Sequence, residues 1–120
     1  MKAKLIDANV IIRFLLNDIP EQADIASKVI YGGAYTNEVI LAEVVYVLVG
    51  VYKIERKQVS SLLLSLLEFI HVENLEVMTN SLKLFAEYKL DFVDCLIISY
   101  HNILKVDVFS FDKKLLNKLK

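Results

Sequence analysis

Short apolar, β-favouring runs recur along this chain with pairs of helical segments between them. That alternation constrains the fold more than any other feature. Residues 2–6 (KAKLI) alternate into a strand that stops at Asp7, and AYTN (34–37), NLEVM (74–78) and VDVFSF (106–111) read as three further strands. Helical spacing fills the intervals: residues 9–16, the EQADIASKVIY run after Pro20, a segment from about Asn37 to Tyr52, a Leu-rich stripe from Arg56 to about Phe69, residues 80–88, residues 91–104, and the closing DKKLLNKL. Breakers stand at the joints, in Asn17-Asp18-Ile19-Pro20 and in Gly32-Gly33. Val45, Val47, Val49 and Val51 alternate as a strand would, but the length of the segment and a leading cap from Asn37 or Thr36 favour a helix. The order β, αα, β, αα, β, αα, β, α predicts a three-layer α/β/α domain with a mostly parallel central sheet, a single unit over residues 1–120.

With 120 residues, 56% of them apolar, the chain is long enough to close a core and too apolar to be disordered. The apolar excess exceeds what a small monomer needs and points to a partner surface. The formal net charge of −1 lacks the basic excess of a passive nucleic-acid-binding module. Contact with a nucleic acid would then be local, or bridged by a metal ion. Cys95 is the only cysteine, so there is no intrachain disulfide, which suits a reducing compartment. The N-terminus has no secretory run, and the longest apolar stretch, 39–52, contains Glu43 and is too short to span a bilayer. These features predict a soluble cytoplasmic protein with no membrane contact.

The acids fall at the ends of elements. Asp7 follows the first strand and Asp112 follows the last, on the edge where open parallel sheets bind ligands. LDFVDCLIIS (90–99) sets Asp91 and Asp94 into an otherwise apolar segment, and no Lys or Arg lies between Lys89 and Lys105. Asp91 reads first as a helix cap; Asp94, between Val93 and Cys95, is harder to explain in that way. Glu43 is the one charge between Glu38 and Lys53, and serves equally well as a solvent-facing or a functional residue. Asp7, Glu43, Asp94 and Asp112 make most sense together. Four carboxylates in one pocket cannot all ionise without a cation, and hard divalent ions, Mg²⁺ or Mn²⁺, take such oxygens and bridge to phosphates.

These residues resemble the motifs of PIN-domain ribonucleases, and most closely the VapC-type toxins of toxin–antitoxin pairs. LIDANVIIRFLL carries Asp7 and Asn9, YTNEVILAEVVYVL carries Glu43, DFVDCLIIS carries Asp94, and FSFDKKL carries Ser110 and Asp112. The likeness spans essentially the whole chain, in order. Cys95 stands where Ala is common and Ser110 where Thr is commoner. The resemblance implies metal-dependent hydrolysis of RNA phosphodiester bonds, with Asp7, Asp94 and Asp112 as metal ligands and Glu43 as a ligand or as a base toward water. Asn9, Asp91 and Ser110 are candidates for orienting those carboxylates. A homodimer and a cognate antitoxin are implied as well.

Arg13, Lys53, Arg56, Lys57, Lys113 and Lys114 are open to RNA phosphates, although scattered surface cations are the plainer reading. His71 and His101 read as structural, and Cys95 as too enclosed to be a nucleophile. The alternatives are a non-catalytic PIN-like domain that binds RNA or protein, and a doubly wound phosphatase. The second is disfavoured because Asn9 stands where such enzymes carry a further Asp.

Overall fold

The computed structural model describes residues 3–119. The expected alternation holds through the third strand, and the strands are shorter than the sequence pattern suggests. Strand β1 is Lys4–Leu5, followed by helices α1 (Ala8–Leu16) and α2 (Pro20–Tyr31); β2 is Ala34–Thr36, followed by α3 (Glu38–Gly50) and α4 (Arg56–Leu66). Strand β3 is His71–Val72, and α5 (Leu75–Glu87), α6 (Phe92–Leu104) and α7 (Lys113–Lys118) complete the described chain. The three strands pair in parallel in the order β1-β2-β3, with Leu5 opposite Tyr35 and Thr36 opposite Val72. One group of helices (α1, α2, α3) and another (α4, α5, α6) pack together, with α3 touching both. The result is a mostly helical α/β domain with an all-parallel sheet.

Local signals explain most boundaries. The Asp7 carboxylate accepts from Val10 N at 3.1 Å and starts α1; Asn37 does the same for α3 through Ile40 N at 2.9 Å. Pro20 opens α2, where its missing N–H is not needed. Helix α3 is apolar almost all round, so Leu41, Val44, Val45 and Leu48 enter the core while Val39 and Tyr46 remain 74% and 75% exposed.

Two expected strands are not formed. NLEVM (74–78) is the entry and first turn of α5, and the third strand lies just before it at His71–Val72. Asn74 in the left-handed region (φ 54°) turns the chain sharply into the helix. Val77, Met78, Ser81, Leu82 and Phe85 then bury on one helical face, and that packing overrides the β-like pattern. His71 therefore lies in a strand. VDVFSF (106–111) pairs with no strand among the described residues, and the rings of Phe109 and Phe111 point outward. The described helices include none long and apolar enough to cross a membrane. Lys2, placed in the first strand by the pattern, lies outside the described residues.

Candidate active site

Asp7 stands at the carboxyl end of β1. Ile6 N donates to Tyr35 O at 3.0 Å, which holds that end against β2, and the Asp7 side chain is exposed where it caps α1. Asn9 lies in the first turn of α1, exposed. Glu43 is exposed on α3, opposite the buried Leu41, Val44 and Leu48.

Asp94 is half-buried in the first turn of α6. Burial pushes its carboxyl above the ordinary value, and the charges of Asp91 and Asp112 push it further in the same direction. Asp91 occupies the cap position of α6, yet its side chain makes no capping bond. Asp112 caps α7, accepting from Lys114 N at 2.9 Å and Leu115 N at 3.3 Å. Ser110 Oγ accepts from Asp112 N at 3.0 Å and fixes the turn that presents it. The fold thus brings Asp91 and Asp112 within electrostatic reach of Asp94. Neither Asp7 nor Glu43 contributes to the shift on Asp94. Among the described residues, no three His, Cys, Asp or Glu side chains converge closely enough to hold a metal ion.

A residue that sequence reasoning assigned elsewhere positions this acidic edge. Arg56, at the start of α4, donates through Nε to Phe85 O at 3.0 Å and through Nη2 to Tyr88 O at 2.7 Å and to Leu90 O. Its guanidinium lies 3.6 Å from the centre of the Phe85 ring. The turn leading into Asp91 is therefore tied down by a cation from another helix. Arg13 is likewise no free surface cation: it is buried, donating to Tyr52 Oη at 2.7 Å and pairing with Asp18 at 3.2 Å. Nothing in the local sequence of either arginine marks these roles.

Helix α6 is fixed from its other side by buried serines. Ser99 Oγ donates to Cys95 O at 2.8 Å, accepts from Asn80 Nδ2 at 2.9 Å and lies 2.9 Å from Ser81 Oγ on α5. Beside Asp91 and Asp94, a groove of about 580 Å³ runs along Ala42, Val45, Tyr46 and Val49 of α3.

The sequence profile of the PIN domain matches residues 4–119. The chain belongs to the PIN-domain family. PIN domains are generally nucleases, and those nucleases generally use divalent metals. A comparison with curated proteins returns no match. In this PIN domain the donor chemistry suits such an ion. Asp94 carries an uncompensated repulsion from two like charges, and none of the salt bridges among the described residues reaches Asp7, Glu43, Asp91, Asp94 or Asp112. The oxygens are hard ligands of the kind a divalent cation takes, although they are not drawn into a closed set among the described residues.

Proposed function

We propose that this PIN domain is a metal-dependent endoribonuclease, the toxin of a VapC-type toxin–antitoxin pair, acting in the cytoplasm as a homodimer. The observation that carries the nuclease reading is the unbalanced carboxylate group of Asp94, Asp91 and Asp112 in a chain of this family. Asp7, Glu43, Asp94 and Asp112 would hold Mg²⁺ or Mn²⁺. When bound, the ion would lower the pKa of a water and neutralise charge on the phosphate. The chain's own residues do the positioning. Arg56 holds the turn before Asp91, the Ser81–Ser99 contact holds α6, and Ser110 holds the backbone of Asp112. Asp7 keeps its remaining carboxylate oxygen for a ligand while the other caps α1. Exposed Val39, Tyr46 and Val93 support the partner chains, an antitoxin and a second copy, that the motif resemblance implies.

A second reading, a non-catalytic PIN-like RNA- or protein-binding domain, draws on the lack of a closed ligand set among the described residues. RNA cleavage by purified protein, with and without EDTA, separates the two. The nuclease reading expects divalent-dependent cleavage that Asp7→Asn and Asp94→Asn each reduce by a hundredfold or more, roughly the loss that follows removal of electrostatic stabilisation from a site. No cleavage with any divalent ion, or equal cleavage by the variants, would favour the binding domain or a contaminant.

A further inference from the structure

The segment before Asp112 turns its largest apolar groups the wrong way for a core. Phe109 is 82% exposed and Phe111 91% exposed, while Val108 and Ser110 between and beside them are half-buried. The two rings touch edge-to-face, with centroids 5.1 Å apart and planes at 79°. The Ser110 hydroxyl accepts from Asp112 N, which closes the turn that carries Phe111. Two exposed lysines, Lys113 and Lys114, follow directly. Paired aromatic faces next to cations form the composition that binds single-stranded nucleic acid without regard to sequence: bases stack on the rings while ammonium groups meet the phosphates.

We propose that Phe109 and Phe111 are a stacking platform for unpaired bases of the RNA substrate, set one residue from Asp112, with Lys113 and Lys114 on the adjoining phosphates. This deepens the nuclease reading and rests on it for the identity of the substrate. The platform selects single strands, because bases in a duplex are already stacked and cannot reach the rings. Phe109 and Phe111 are positioning residues for the strand. The lysines favour RNA over a protein partner, and an aromatic pair that merely waited for a protein or for a free sheet edge would tolerate any apolar side chain of similar size.

That difference gives the test. Binding is measured by anisotropy of a labelled single-stranded RNA of roughly ten nucleotides, within the usual site size. The Asp94→Asn chain is used with Mg²⁺, so that the strand is not cut. The double replacement Phe109→Leu and Phe111→Leu keeps apolar area and removes the aromatic faces. It is expected to weaken binding by about tenfold or more, the scale of one or two lost base–ring stacks. It should leave the affinity of the same strand with central abasic positions unchanged. The chain has no Trp, so Phe111→Trp adds a sole reporter, which should keep tight binding and be quenched by the base-bearing strand more than by the abasic one. Equal binding by the leucine variant, an equal loss on the abasic strand, or no binding of single strands by the parent each overturns the platform. If wild-type protein cuts RNA while the leucine variant binds normally, only the platform fails. If ring-dependent binding occurs without any cleavage by wild-type protein, the nuclease reading fails and the platform stands.

Discussion

Asp112, the cap of α7, lies close enough to Asp94 in the first turn of α6 for its charge to help push the Asp94 carboxyl above its ordinary pKa. Burial is the larger cause, and Asp91 adds to it. With the folded pKa above the unfolded one, the folded state keeps a proton that the unfolded state has already lost. Stability of the metal-free protein therefore falls as pH rises from about 3.8 through the higher folded value, and the full penalty stands above that window. Asp94→Asn in EDTA is expected to be more stable than the parent at neutral pH, with the gain vanishing in acid. Urea melts at several pH values measure it; a neutral or destabilised variant near pH 7 would mean that Asp94 is already compensated.

Excess Mg²⁺ or Mn²⁺ should reverse this order. A ligand at about one hundred times its dissociation constant adds about 2.7 kcal/mol of stability, on the order of 10 °C in Tm for a domain of this size. The parent gains this and Asp94→Asn does not. Thermal melts with and without EDTA report the difference directly.

Arg56 organises the approach to the acids by binding three backbone carbonyls, those of Phe85, Tyr88 and Leu90. Removing it leaves carbonyls without their donor and uncovers Phe85. Arg56→Ala is expected to destabilise by about 3 kcal/mol, since hydrogen bonds from a charged donor contribute about 1.5–3 kcal/mol each and are not additive. Arg56→Lys should recover only part, because an ammonium lacks the planar fork that reaches several acceptors. Both variants should also lower RNA cleavage more than their stability loss explains, because the turn before Asp91 loosens. Retention of full stability by Arg56→Ala would remove this residue from the account.

Cys95 is fully buried, and burial first of all pushes its thiol up to about 11 from 9.0. Native protein at pH 8 should resist iodoacetamide at this position and react only on unfolding, which mass spectrometry detects. Because the unfolded thiol ionises first, stability should drop between pH 9 and 11 by about 3 kcal/mol through this group, two pKa units at 1.36 kcal/mol each. The slope should flatten in Cys95→Ala. Rapid labelling of the folded chain would show that α6 opens locally.

Much of the fold was legible because its signals are local. Asn37 announced α3 by its capping chemistry, Pro20 opened α2, and the stripe of α4 followed a helical period; the cap that Asp7 supplies to α1 was not read from the sequence. The failures came where tertiary contacts decide. NLEVM has a strand's composition, but Val77 and Met78 find a buried helical face with Leu82 and Phe85. VDVFSF has a strand's alternation, but β-propensity cannot supply a paired edge. At the site, the sequence indicated which acids to examine, and the fold brings Asp91 and Asp112 close enough to act on Asp94. It did not show that Arg56, remote in the chain, would secure the turn between α5 and α6, because such a bond to backbone carbonyls leaves no trace in side-chain pattern.

Under the nuclease proposal, Asp7, Glu43, Asp94 and Asp112 bind one divalent centre together. Mn²⁺ titration followed by electron paramagnetic resonance tests it most directly, since free and bound ions are counted in the same spectrum. Saturable binding by the parent is expected, weakened tenfold or more in each of Asp7→Asn, Glu43→Gln, Asp94→Asn and Asp112→Asn, on the scale of losing part of a metal's supporting shell. Binding that persists unchanged in Asp7→Asn and Glu43→Gln, or no saturable binding by the parent, would contradict it.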